Sequence, residues 1–195
     1  PILFLDFDGV LHPEHCHESK HFSCLPVFES VLSQVPDCKL VIASTWRLQI
    51  PVERLREKLG PNVAAKLVGV TPQYCYLRDV PLTLVGYERE AECHAWRRAN
   101  QVLNEPWLAV DDRSWLFRPF CQSLFLTNSR TGLCPTSAER LVARLLKLLE
   151  NVNPHELTEL RQGLYKVPPS ATSAKACPWW RIMCRSNMND GKENE

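Results

Sequence analysis

Nowhere in this sequence do 18 apolar residues run together, so no stretch is long enough to cross a bilayer as a helix. No charge sign dominates either. Lys and Arg total 23 against 22 for Asp and Glu, a formal net charge of +1, and any attraction for anions must therefore be local. The nine cysteines are odd in number and show no CxxC spacing, which argues against a disulfide framework and fits a reducing compartment. Most of them are expected to be small buried hydrophobes. Internal repeats are absent, and the segments around 12–38 and before the helical pattern at 88 are too short for a large inserted domain. The sequence opens on an apolar run and not on a basic segment followed by a signal core. The expectation is a soluble, cytoplasmic protein with no membrane partner, its oligomeric state left open.

What is present is ordinary globular material: 195 residues, 45% of them hydrophobic, enough for one core with an appendage. Short apolar runs, ILFL at 2–5, KLVIAS at 39–44, KLVGV at 66–70, WLAV at 107–110 and SLFLT at 123–127, read as strands. Amphipathic patterns near 26–35, 52–60 and 88–103 read as helices between them. This alternation predicts an α/β fold, a Rossmann-like three-layer sandwich around a parallel sheet, with little or no cap domain. After the last strand, Thr136 and Glu139 have the spacing of a capping box for a helix whose apolar face is Leu141, Val142, Leu145 and Leu149. Pro154 predicts another helix start, with that helix ending near 163. The domain is placed at residues 1–165. Residues 166–195, rich in Pro, Ser and polar residues and containing CPWWRIMC, read as a disordered tail.

Four strand or helix ends carry unusual chemistry. The first strand, apolar enough to be buried on both faces, runs straight into LDFDGV. Asp6 and Asp8 are two apart on an extended chain, so their carboxylates can converge on one side and invite a cation. Gly9 lets the chain turn sharply there. The second apolar run ends in Ser44 and Thr45, hydroxyls suited to bind a phosphoryl oxygen, with either able to make the contact. Arg89 opens a long helix and offers a fixed positive charge for an oxyanion; Arg97 and Arg98 lie two to three turns further on. The fourth motif is VDD, where an apolar run ends in Asp111 and Asp112. In open α/β sheets ligands bind beyond the carboxyl ends of the strands, where these four meet.

In this order, DFDGVL, IAST, Arg89 and VDD resemble the motifs of the haloacid dehalogenase-like (HAD) superfamily of aspartate-nucleophile phosphotransferases. STWR after the second strand and the GYERE…W…VDD stretch are most similar to the HAD domain of Swiss Army Knife RNA repair proteins, over about residues 1–150. The resemblance implies a Mg²⁺-dependent phosphatase that passes through an aspartyl-phosphate. Asp6 would be the nucleophile and Asp8 the general acid and base. Ser44 or Thr45, with Arg89, would hold the phosphoryl group. Mg²⁺ would rest on Asp6, Asp8 through its main-chain carbonyl, Asp111 and Asp112, the last of these holding the loop or a metal-bound water. An Asp two residues after the nucleophile is what phosphatases and phosphomutases of the superfamily carry. An open site suits a large phosphorylated substrate, such as an RNA or DNA end or a phosphoprotein. A non-catalytic phosphate- or partner-binding module and a phosphotransferase to a small acceptor are the competing readings.

Two further stretches stand out. HPEHCHESKH brings His12, His15, His17 and His21 together with Cys16, and Cys24 nearby, yet its spacing matches no familiar zinc pattern. It is read as a solvated active-site loop with at most one functional histidine. Arg47, Arg113, Arg118 and Arg130, with Trp46 and Trp115, can either grip a single nucleic-acid strand or be core tryptophans under a solvated arginine rim.

Overall fold

All five apolar runs pair as parallel strands in the computed structural model, which describes residues 1–150. The strands are β1 (Ile2–Leu5), β2 (Lys39–Ile42), β3 (Leu67–Val70), β4 (Trp107–Asp111) and β5 (Leu124–Leu126), in the order β3-β2-β1-β4-β5. Four helices accompany them: α1 (Leu25–Gln34), α2 (Val52–Ala64), α3 (Glu88–Ala99) and α4 (Pro135–Glu150). β1 is central, pairing with β2 on one side and β4 on the other. The sheet therefore aligns the ends that carry Asp6 and Asp111.

Alternation along the strands sorts the core into two layers. Leu3, Leu5, Leu40, Ile42, Leu108 and Val110 face one side, where they pack with residues of α1, α2 and α4. Ile2, Phe4, Val41 and Ala109 face the other and meet Cys93 and Trp96 of α3. The connections β1-α1-β2-α2-β3 step one way across the sheet and β3-α3-β4 returns, so right-handed crossovers put α3 alone on the second face. Phe4 is fully buried there, edge-on to Trp96 and Trp107 at 5.7 Å from each ring. Truncating it to Ala would cost about 3–5 kcal/mol.

Three helix boundaries differ from expectation. α3 stops at Ala99, short of the predicted 103, because the Asn100 side chain donates to the Trp96 carbonyl and Gln101 turns to φ 59°. α2 runs on past Gly60, but Gly60 itself is non-helical at φ 73°, so the predicted end is a kink before a further turn that begins at Pro61. The capping box at Thr136 and Glu139 does not form. α4 starts at Pro135, two residues before the start that a Thr136 cap would give, and Ser137 reaches back to accept from the Cys134 N–H at 2.9 Å.

Between β1 and α1, and between β3 and α3, the only helical elements are 3₁₀ turns of three residues, so no inserted domain covers the strand ends among the described residues. No described helix is long and apolar enough to cross a membrane. The seven described cysteines are free thiols, with Cys24, Cys38 and Cys93 buried. The helix predicted after Pro154, the tail from 166 and the domain limit at 165 lie outside the described residues.

Candidate active site

β1 delivers Asp6 into a buried position, 3% exposed, where its Oδ1 accepts from the Phe7 N–H at 2.8 Å. β4, paired with β1, delivers Asp111 at the same level, and Asp112 follows. Carboxylate oxygens of Asp6, Asp111 and Asp112 all lie within 4.8 Å of one another. Asp111 has one oxygen on the Arg113 N–H at 2.8 Å, whereas Asp112 Oδ1 is buried with no hydrogen-bond partner.

Asp112 reaches this position only because residue 9 has no side chain. A Cβ on Gly9 would fall 2.2 Å from Asp112 Oδ2. Gly9 also turns the chain with φ 68°, as its sequence position suggested, but the close approach of Asp112 is a second and stricter demand. The Thr127 hydroxyl, just past β5, donates to the Gly9 carbonyl at 2.8 Å and pins the turn from the far side.

Three carboxylates without a cation repel one another. Burial, then the charge of Asp6, pushes Asp111 up to about 7 in pKa, with Arg89 opposing. Burial, with Asp6 and Glu14, pushes Asp112 to about 6. An all-oxygen donor set that includes one buried oxygen without a hydrogen bond, Asp112 Oδ1 at 3.9 Å from Arg113 Nε, fits a hard divalent cation such as Mg²⁺. The Asp8 carboxylate is not part of this set.

The Asp8 side chain is instead held between two partners. His12 Nε2 lies 3.0 Å from Oδ1, and the Trp46 indole donates to Oδ2 at 2.9 Å. Burial alone would raise the Asp8 pKa, but these two hydrogen bonds, together with the attraction of His12 and Arg113, outweigh it and the net shift is downward. Sequence reasoning missed both partners. His12 is fully buried, which corrects the solvated-loop expectation for that residue, while the His15 side chain is 91% exposed. The signal available for His12 was its place four residues after Asp8.

Arg89 is buried, with Nη2 at 3.7 Å from Asp6 Oδ2 and Nε at 3.6 Å from Asp111 Oδ2. It also donates to the Ala43 carbonyl at the end of β2. Its burial disfavours the charge, but Asp6, Asp111 and Glu92 more than offset this and the pKa is raised. Arg97 turns to the Leu103 carbonyl and the Trp107 ring, and Arg98 to the Asp79 carbonyl, so neither competes for this position. Ser44 is fully buried and accepts from the Trp46 N–H at 3.4 Å, while Thr45 is exposed.

Arg47 belongs to neither of the roles considered for it. Its side chain is 2% exposed, pairs with Glu92 at 2.7 Å, and donates to the carbonyls of Ala43, Ser44, Thr71 and Pro72. Burial pushes Glu92 up and Arg47 down, the mark of an ion pair whose desolvation is only partly offset by attraction. Glu92 lies one turn after Arg89 and 3.9 Å from it, so this pair braces the basic residue from behind. Arg113 pairs with Glu14 at 2.7 Å, tying the histidine loop to the acidic motif, and Arg118 pairs with Glu90 at 2.7 Å. Arg130 is exposed.

A groove of about 470 Å³ runs beside the strand ends, lined by Tyr87, Trp115, Phe117, Arg118, Phe120 and Leu126 among others. Leu126 is opposite Asp111 in the sheet register, and Tyr87 is two residues before Arg89. Trp115 and Phe120 are 66% and 94% exposed.

A family model for the HAD domain in Swiss Army Knife RNA repair proteins matches residues 2–138, a span that includes every motif above. No curated protein and no solved structure matches the chain.

Proposed function

The chain belongs to the family of HAD domains in Swiss Army Knife RNA repair proteins, and from that membership we propose that it is a Mg²⁺-dependent phosphomonoester hydrolase working through Asp6. The observation that carries the reading is the meeting of Asp6 with Asp111, Asp112 and Arg89 at adjoining strand ends. A carboxylate approaching a phosphate dianion is repelled. Mg²⁺ held by Asp6, Asp111, Asp112 and the Asp8 carbonyl would supply the charge that offsets this repulsion. Arg89 adds a fixed cation on the same side, and Ser44 a hydroxyl for a phosphoryl oxygen.

In the first step an Asp6 oxygen bonds to phosphorus while the ester P–O bond breaks, and the leaving oxygen takes a proton from Asp8. In the second step Asp8 takes a proton from water, which attacks phosphorus, breaks the acyl-phosphate bond, and returns Asp6 with inorganic phosphate. Asp8 has its pKa lowered by its partners and rests ionised, so its proton must be drawn in. His12, at 3.0 Å, is the neighbour placed to supply it.

The substrate class favoured is a single-stranded nucleic-acid end. Support comes from the open strand ends and from the exposed aromatic faces of Trp115 and Phe120 in the adjoining groove, on which bases can stack. The deciding experiment is hydrolysis of a generic aryl phosphate with Mg²⁺ and with EDTA, beside Asp6→Asn. Turnover that requires Mg²⁺ and vanishes in Asp6→Asn is expected. Wild-type rates in Asp6→Asn would sink the mechanism, and EDTA-insensitive turnover would remove the metal from it.

A further inference from the structure

The histidine loop holds a second cluster with a different donor chemistry. Ligand atoms of His12, Cys16 and His21 all lie within 4.8 Å of one another. We propose that these three residues bind a transition metal of the zinc class, with Asp8 as the carboxylate behind His12.

Several observations converge on this assignment. A tetrahedral zinc site places its nitrogen and sulfur donors about 3.3–3.6 Å apart, so donors that already lie within 4.8 Å of one another would draw closer on binding. Cys16 is a free thiol and, like His21, half-buried, which leaves a route in for the metal. Both histidine rings are held by packing: His12 and His21 lie 4.7 Å apart, and each borders the Trp46 ring, at 5.7 and 5.1 Å. The other two histidines of the loop are not available in the same way. His15 points into solvent, and His17 Nδ1 accepts from the Ser19 N–H to cap a 3₁₀ turn.

His12 has the arrangement of a metal-ligating histidine. Its Nε2 is engaged by Asp8, while the one lone pair of Nδ1 accepts only a long 3.4 Å hydrogen bond from the Phe22 N–H, which a metal would displace. A ligating imidazole ordinarily donates its second N–H to a carboxylate, which fixes its tautomer and strengthens it as a ligand. Two nitrogens and a thiolate select a borderline or soft ion, whereas the Asp6, Asp111 and Asp112 oxygens select a hard one, so the two clusters sort metals by chemistry. Three protein donors leave the fourth position to water or an added ligand.

If the protein is the hydrolase proposed above, turnover feels this site as well. A metal on Nδ1 immobilises the ring that supplies Asp8, so loading this site slows hydrolysis. Without that reading the site stands on its own donors.

The test uses the full chain stripped of metal, with Co²⁺ as the optical probe for zinc. One equivalent of Co²⁺ is expected to give a thiolate-to-metal charge-transfer band in the wild type and in Asp111→Asn, which disables the oxygen cluster. The band should be lost in Cys16→Ser, and Co²⁺ affinity should fall about 10–100-fold in Asp8→Asn, the range for losing a carboxylate behind a ligand. No band in the wild type, or a band that survives Cys16→Ser, overturns the site. Unchanged affinity in Asp8→Asn overturns the link to Asp8. In aryl phosphate hydrolysis with Mg²⁺, zinc should lower the rate of the wild type and spare Cys16→Ser; equal inhibition of both overturns the effect on turnover. Absence of all hydrolysis would count against the hydrolase reading, while the cobalt spectra still decide the site.

Discussion

Trp46 Nε1 donates to Asp8 Oδ2 at 2.9 Å, so a residue just past β2 holds the acid that follows β1. With His12 on the other oxygen, Asp8 has no side-chain oxygen left unpaired. Trp46→Phe keeps most of the ring packing and removes the donor. Losing a hydrogen bond to the ionised form raises the Asp8 pKa, so the limb of the rate profile on which Asp8 loses its proton should move to higher pH, and kcat should fall about tenfold. A pH–rate series on aryl phosphate measures this, and an unmoved limb would show that Trp46 only packs.

Removing one acid from the carboxylate cluster should change how stability depends on pH. Asp111 and Asp112 have their pKa raised in the folded protein to about 7 and about 6. Unfolded carboxylates titrate near about 4, so without a divalent cation the folded state holds these protons more tightly. Their contribution is fully present below the unfolded pKa and is lost as pH rises through about 6 to 7. In EDTA, Tm should therefore fall across this window, and Asp111→Asn should flatten the fall. Mg²⁺ should raise the wild-type Tm more at about pH 8 than at about pH 5.5, because at the lower pH protons already occupy the cluster. Calorimetry with and without Mg²⁺ checks the sign.

Arg47→Ala should act on folding. It removes the close ion-pair partner of buried Glu92 and takes the guanidinium from four carbonyls, of which Ala43 keeps Arg89 and Ser44 keeps the residue 47 N–H, at a cost of about 3–5 kcal/mol, measured by urea denaturation. A variant as stable as wild type would mean that water replaces the guanidinium.

Trp115→Ala should separate large substrates from small ones. Stacking is worth about 1–3 kcal/mol per base, so kcat/KM on a single-stranded nucleic-acid end should fall about 5- to 150-fold, while the aryl phosphate rate holds. Equal losses on both would place Trp115 in the fold of the acidic motif and not in substrate binding.

Much of this site is legible in the sequence because its acids follow apolar strands. Once β1 and β4 are recognised as strands of one parallel sheet, Asp6 and Asp111 must come out at the same edge, and Arg89 follows from its place at the start of α3. Periodicity reports which face a residue takes, but it does not report who satisfies a buried charge. Arg47 was indistinguishable from a solvated arginine, since its partner Glu92 lies on another element. The same limit hid Trp46 and His12, whose polar atoms meet Asp8 only after the loop folds over it. Gly9 reads as a turn residue, and nothing local announces that Asp112 fills the space beside it. At α4, Thr136 and Ser137 both have capping chemistry, and the two-residue earlier start at Pro135 decides between them.

The pairing of β1 with β4 also bears on the order in which the molecule forms. Local steps, β1 with α1 and β2, can proceed without bringing acids together, because Asp111 and Asp112 arrive only when a distant part of the chain docks on the free side of β1. Closing that long loop is entropically slow, and it is also the moment at which three carboxylates are forced into one buried space. Docking of β4 on β1 is therefore the step that feels their repulsion, and a divalent cation or a proton present at that moment would speed it without touching the pairing of β1 with β2.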